Sequence, residues 1–531
     1  MKIEKVSTKK LLAWLDKNLL TYLAGFLLVF IPLYPKLPLF DAIPGYIVRV
    51  RFEDFLILFT MIVWLVQVFR KKVEWKNPLF YIIIAYIGFG FLTTLSAIFI
   101  TKTVPNELIH VGKMYLHYFR NIEYFSLFFI LYSAVKTKKQ ARILVTLSSV
   151  VMLLVSIYGY GQRYLYWPVY STMNREFAKG LRLYLTEHAR VPSTFGGHYD
   201  LAAYTMVVLT FILSLFYFVK NKWLKLLFAA SYAAGFWLLI LTASRTSFIA
   251  YLVSITTLFF IFLFVKGWKW SIPRWFLVMF LSMFVMLSFG DLSERFTQVL
   301  GLKKIKEKYS NLAFLPKAEK PENAVSIDEI SKVTVSSDAP PSQTKPTNLP
   351  GDVYEDIPLP VEDGKGGVKL VTRTYSENAY KYGLSAAIRF DALWPRAIAG
   401  FKKNPLLGAG YSTLTKTSNI QFTEAESTDN NFLRTLGETG LLGFITFYGT
   451  IIAAFYFTVK KLKDLKKDPL LHAYAIGMLA AIIGLLLNAS YIDVFAASKV
   501  AETFWAYVGL LMAITYGIKT KSKKAKQTKK K

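Results

Sequence analysis

The sequence predicts an all-α, polytopic membrane protein with about twelve transmembrane helices and one large extracytoplasmic loop between helices nine and ten. Three observations carry that expectation. Apolar runs of about 17 to 25 residues recur along the chain, each long enough for a hydrocarbon core of ~30 Å. The composition, 54% hydrophobic and 16% aromatic with a mean hydropathy of +0.37, is too apolar for an ordinary soluble domain. The connections alternate between basic and non-basic, which gathers positive charge on one side of a membrane.

Taken in order, the runs lie near 18-35, 54-69, 78-100, 115-135, 143-161, 200-219, 224-242, 246-265, 274-290, 438-459, 470-488 and 500-518. Basic clusters at Arg70-Lys72, Lys136-Lys139, Lys220-Lys222, Lys266-Arg274 and Lys460-Lys467 each follow an even-numbered run. With the lysines before the first run and the Lys519-Lys531 tail, they put both termini in the cytoplasm. No small-residue cleavage site follows the first run, so it reads as an uncleaved signal anchor. The organisation expected is an N-terminal bundle at 1-290, a large outer loop at 291-437, C-terminal helices at 438-518 and a basic cytoplasmic tail at 519-531.

Within the large loop, residues near 316-372 are rich in Pro, Ser, Lys, Asp and Glu without periodicity, and read as a disordered spacer. Between Ser376 and Asn404 the spacing of Leu384, Ile388, Leu393, Trp394 and Ile398 predicts an amphipathic helix on the membrane surface or over the bundle, ended by Pro405-Gly410. No internal repeat argues for an inverted-repeat transporter. The net charge of +30 lies in short clusters between apolar runs, a membrane-topology pattern and not a nucleic-acid surface. Cysteine is absent, so disulfides and thiolate metal sites are excluded, and no HExxH, EF-hand or P-loop spacing occurs. No metal and no cofactor is expected.

Arginines in the outward connections run against the positive-inside bias and need a reason to be there. They are Arg163, Arg175, Arg182 and Arg190 in the 162-199 loop, Arg245 in the turn Thr242-Arg245, and Arg389 and Arg396 in the large loop. An anionic ligand supplies that reason, and the planar guanidinium suits phosphate. Snorkelling to lipid headgroups is the plainer account for Arg163, Arg175, Arg182 and Arg396. Arg120 and Glu123, three apart in the fourth run, read as an internal ion pair, and Arg51, Glu53 and Asp54 as a structural rim cluster. His198, after Gly196-Gly197 at the mouth of the sixth run, is either a hydrogen-bonded structural residue or a base. Polar chemistry runs directly into an apolar helix at Thr428-Gly443, which marks the expected reaction site.

Four stretches together resemble the O-antigen ligase and O-antigen polymerase family of membrane glycosyltransferases. They are Arg190-His198 leading into Leu201-Tyr204, Leu241-Arg245, Pro405-Tyr411 and Asp429-Gly443. The resemblance covers most of the chain outside the Pro316-Thr372 insert. It implies a bacterial inner-membrane enzyme using a polyprenyl-pyrophosphate-linked oligosaccharide donor, without nucleotide sugar or metal, and a glycan or glycolipid acceptor. Partners in a polysaccharide export system are a further implication.

Arg190 and Arg245 match the arginines the family places around the donor pyrophosphate, and Arg389 with Gly400 looks like the outer-loop pair of polymerases. Ligases typically carry His where this chain has Asp429, which inclines the reading toward a polymerase. The expected roles follow. Arg190, Arg245 and Arg389 bind substrate and stabilise the leaving group, Asp429 is the base or a helix N-cap, and His198 is the reserve base. The alternatives are a ligase and, from another class, a polysaccharide or lipid transporter, which needs more intramembrane charge than is evident.

Overall fold

The computed structural model describes residues 8–43, 48–173, 177–186, 189–289, 359–362, 368–371, 378, 384–414 and 427–518. Clustering of contacts separates a large unit, Met1–Ser293 with Leu393–Lys531, from a smaller one, Glu294–Ala392. The Arg175 expectation, most of the 316-372 spacer and the 519-531 tail lie outside the described residues.

Among the described residues nine α-helices make up the first part of the large unit: α1 (Thr8–Leu33), α2 (Phe52–Phe69), α3 (Phe80–Phe99), α4 (Leu108–Ala134), α5 (Lys138–Tyr164), α6 (His198–Phe218), α7 (Lys222–Leu241), α8 (Arg245–Lys266) and α9 (Trp268–Ser288). After the smaller unit come α10 (Trp394–Lys403), α11 (Asn431–Lys461), α12 (Pro469–Ala489) and α13 (Ser498–Met512), the last continued by a π-helical turn, Ala513–Gly517. Each of the twelve expected runs overlaps a helix among the described residues. Among the described residues ten helices are long and apolar enough to cross a membrane. The other two runs lie in α4, which carries Arg120, Asn121 and Glu123 along its middle, and α13, only 15 residues long.

Two short antiparallel pairs accompany the helices. Strands β1 (Pro38–Phe40) and β2 (Val50–Arg51) pair before α2. Strands β3 (Leu359–Glu362) and β4 (Val368–Val371) pair within the smaller unit, where the sequence had suggested no regular element. The alternation of Val361, Val368, Leu370 and Val371 with polar residues is too brief to stand out from the Pro- and Lys-rich segment around it.

The core sits where α6, α12 and α13 pack, and small residues set how closely. Gly477 lies so near Phe211 that a Cβ there would meet its Cα at 2.4 Å, and Gly509 is equally close to the Phe128 carbonyl. Hydroxyls donate to α12 backbone carbonyls from two neighbouring helices: Ser214 of α6 to Ala473 at 2.7 Å and Ser254 of α8 to Ala480 at 2.9 Å. Close approach and internal satisfaction of polar groups are what hold helices together in lipid, where hydrophobicity does not discriminate between them. Helix α9 packs on α8 and leaves Phe276, Phe280 and Phe284 exposed, as a lipid-facing helix would.

The tenth run, near 438-459, lies within a longer helix. Helix α11 begins at Asn431, whose predecessor Asn430 accepts from the Leu433 N–H as N-cap, and it is broken at Gly440, at φ 63° and ψ −165°. The Pro405–Gly410 segment docks backbone to backbone into that break. Ala409 and Gly410 donate to the carbonyls of Gly437 and Glu438, each at 2.9 Å, and Leu441 and Leu442 donate to Pro405 and Leu406 at 2.9 and 3.2 Å. A broken helix is tolerated at membrane depth only when protein groups take up the freed donors and acceptors. Two of the family-like stretches therefore interlock, and their glycines have a physical reason. A Cβ on Gly408 would meet the Glu438 carbonyl at 2.5 Å, and one on Gly440 the Leu406 carbonyl at 2.5 Å, both at positive φ. Gly440→Ala is expected to lower stability by about 1–3 kcal/mol from a backbone conformation open almost only to glycine and by more from the clash. Thermal unfolding of the detergent-solubilised protein measures this; a melting temperature equal to wild type contradicts the interlock.

Candidate active site

Alternate connections converge at one end of the bundle, away from the basic clusters, and there they enclose a cavity of about 490 Å³. Its walls come from the α1–α2 connection (Lys36, Arg51), the middle of α3 and α4 (Tyr86, His117, Arg120), the start of α6 (Tyr199, Asp200), the first turns of α11 (Asp429 to Glu438) and the α12–α13 connection (Asp493 to Ser498). Elements distant in sequence thus supply opposite walls.

Charges around the cavity form three groups. Arg120 donates to Asp54 at 2.7 Å and Glu123 at 3.1 Å, so the expected pair is present and has a third member. Arg434 faces Asp493 at 3.1 Å and Glu438 at 3.4 Å. Asp493 in turn accepts from the N–H groups of Thr428 at 2.7 Å and Asn430 at 3.0 Å and from the Ser427 hydroxyl at 2.9 Å. That carboxylate fixes the turn on which Asp429 sits. The third group is cationic: Lys36 Nζ and Arg51 donate to the Ser498 hydroxyl at 2.6 and 3.3 Å, with Glu53 3.6 Å from Arg51. Burial, and next the Arg51 charge, push Lys36 down to about 8. Lys499, fully buried, donates to the Thr194 carbonyl at 2.8 Å and to that of Tyr34, tying the α1 end to the segment before α6.

Asp429 lines the cavity with a left-handed backbone at φ 50° and accepts from the Ser427 hydroxyl at 2.6 Å. The N-cap alternative for it is corrected, since Asn430 caps α11. Left-handed non-glycine residues also occur at Ser193, Ala243 and Ser412, in or beside each of the other three family-like stretches. Such backbone conformations cost energy and persist where the surroundings dictate them, often at functional sites.

Arg190 contacts His198 Nε2 at 2.6 Å and donates to the Tyr199 hydroxyl at 3.1 Å. A guanidinium has no acceptor, so in this contact Nε2 accepts. That occupies the nitrogen a base would use and makes His198 a holder of Arg190. Both stand behind Tyr199, which lines the cavity. Val191 N–H donates to the Leu241 carbonyl at 3.2 Å, which sets the Arg190 segment against the α7–α8 turn. Arg245 opens α8 behind the Ser244 N-cap, is exposed, and is not among the lining residues. Arg389 belongs to the smaller unit, in the π-helical turn Arg389–Leu393.

Sequence reasoning missed Lys36, Arg434 and Asp493 and read Arg51 as structural. The i,i+4 pair Arg434 and Glu438 entering an apolar helix was a usable signal. Nothing local distinguished Lys36 or Asp493. Among the described residues no cluster of three or more acidic or histidine side chains is arranged for a metal.

The fold and cavity define a polytopic membrane protein with a charged, half-enclosed cavity at one end of its helical bundle. Residues 230–448 match the family described as O-antigen ligase, so that span of the chain is similar to a family involved in polysaccharide biosynthesis. The family implies a glycosyltransferase-like enzyme acting on lipid-linked glycans, in ligation or polymerisation of a surface polysaccharide. No curated protein matches the chain. The matched span contains Arg245, Arg389, Asp429 and Arg434; the wall carrying Lys36, Arg51, Arg120 and Tyr199 precedes it.

Proposed function

We propose that the protein polymerises polyprenyl-pyrophosphate-linked glycan units on the outer face of a bacterial inner membrane, with both termini in the cytoplasm. The observation that carries this reading is one cavity with buried cations, Lys36 and Arg51, in one wall and the carboxylate of Asp429 in another. A diphosphate leaving group needs fixed positive charge in a water-poor site, and an attacking hydroxyl needs a base.

In the proposed step the acceptor hydroxyl oxygen bonds to the anomeric carbon of the donor as the bond from that carbon to the phosphate oxygen breaks. The bonding pair leaves with the diphosphate, where Lys36 and Arg51 stabilise it; Arg190 acts through Tyr199, to whose hydroxyl it donates. The hydroxyl proton passes to Asp429. Arg245, exposed at the start of α8, is a proposed contact for the rest of the donor. The family-like stretch with Asp429 in place of a histidine favours polymerase over ligase. Mass analysis of lipid-linked and surface glycans in cells with and without the protein tests this: loss of long chains with accumulation of single lipid-linked units is expected, and unchanged chain length on an unlengthened lipid carrier overturns it.

The low value for Lys36 adds a pH dependence. The ammonium is present below about pH 8 and lost as pH rises through it, so efficiency toward donor falls on the alkaline side. Loss of one charge-assisted contact corresponds to roughly tenfold or more in kcat/KM. Lys36→Arg is expected to hold its efficiency through this range; an identical alkaline limb in the variant removes Lys36 from the explanation.

A further inference from the structure

A second, mostly apolar crevice of about 340 Å³ opens between α2 and α4 beside the polar cavity. Its walls are Ala42, Ile57, Leu58, Met61, Phe119 and Ile122, and it shares Val48, Leu116 and Arg120 with the polar cavity. Leu58 is 47% and Phe119 56% exposed, so the crevice borders the surface that faces lipid. Elsewhere the cavity is backed by α6, α12 and α13, buried along nearly their whole length, and by the Pro405–Tyr411 segment seated in α11.

We infer that the hydrocarbon chain of the lipid-linked donor lies in the α2–α4 crevice, passing the Asp54–Arg120–Glu123 trio as it leaves the polar cavity for the bilayer. This rests on reading that cavity as the diphosphate site. Polarity changes at the trio: the polar cavity is lined by Lys36, Arg51, Asp429 and Arg434, whereas the crevice walls outside the trio are aliphatic and aromatic except for Arg49, which pairs with Asp41 at 3.2 Å. An amphiphile with a charged head and a long apolar tail matches that change, and a soluble sugar or a free diphosphate does not. Ile57, Leu58 and Met61 lie in the second and third turns of α2, so the tail enters from the half of the bilayer nearest the cavity. Arg120, held by two carboxylates, acts as a positioning residue that keeps this passage open and is not offered to the diphosphate.

The test uses purified full-length protein and two probes. The first is a photoactivatable polyprenyl diphosphate without sugar, its cross-links mapped by mass spectrometry. Attachment at residues 57–61 of α2 or 116–122 of α4 is expected; attachment only elsewhere, or none, overturns the inference. The second is a pair of glycan-bearing donors, one with a long isoprenoid chain and one with a short water-soluble chain. Leu58→Trp and Met61→Trp, at partly exposed positions that spare folding, are expected to raise KM for the long-chain donor roughly tenfold, the scale of a misfitted hydrocarbon contact. KM for the short-chain donor should stay unchanged, and an equal change for both donors overturns the inference. Labelled crevice residues without transfer to any acceptor remove the polymerase reading and leave the path standing; transfer with label elsewhere does the reverse.

Discussion

Replacing Asp429 with Asn is expected to lower the rate of glycan transfer by about 10² to 10⁴ while donor binding stays near wild type, the range for losing a positioned general base. The substitution keeps an oxygen for the 2.6 Å contact from the Ser427 hydroxyl, so the turn persists. Its left-handed backbone also suits Asn. Asn430 caps α11, so the helix start does not depend on Asp429, and a large fall in activity would report chemistry and not folding. His198→Gln is the matched comparison. With Nε2 engaged by Arg190, the histidine's contribution passes through that arginine, and a smaller loss expressed mainly in KM is expected. Chain-length analysis with single-turnover kinetics measures both; full-length product from Asp429→Asn removes the carboxylate from the mechanism.

The second large effect is on stability. Arg434→Ala strips the cation from Asp493 and Glu438, whose side chains are 8% and 9% exposed. Removing one partner of a buried ion pair costs about 3–5 kcal/mol because the other charge is left uncompensated. Asp493 also holds the backbone of Thr428 and Asn430, so its disturbance displaces Asp429 as well. We expect Arg434→Ala to reduce the yield of folded protein and lower its unfolding temperature markedly. Adding Asp493→Asn and Glu438→Gln is expected to restore much of the stability and little of the activity. A single variant that melts like wild type would mean that water, and not Arg434, compensates these acids.

Each helix had a local cause that could be read from residues alone. Long apolar runs and the alternation of clusters such as Arg70-Lys72 and Lys136-Lys139 are properties of neighbouring residues. The Thr428-Gly443 stretch stood out as a candidate because polar groups entering an apolar helix are costly without a purpose, and residues of it line the cavity. The relation between Arg190 and His198, eight residues apart, was anticipated only as proximity.

The composition and periodicity of this chain determined by themselves that it is a bundle of apolar helices, because burial in lipid depends on residue type and run length. They also marked the stretch that carries Asp429. Which cations face that carboxylate was decided only by tertiary packing. Lys36 and Ser498 meet across 462 positions of sequence, and Arg434 finds Asp493 across 59. The interlock of Pro405–Gly410 with the break at Gly440 belongs to the same class. Helical periodicity specifies the face a side chain occupies on its own element, whereas a charge's partner depends on how helices pack, and no local pattern encodes that.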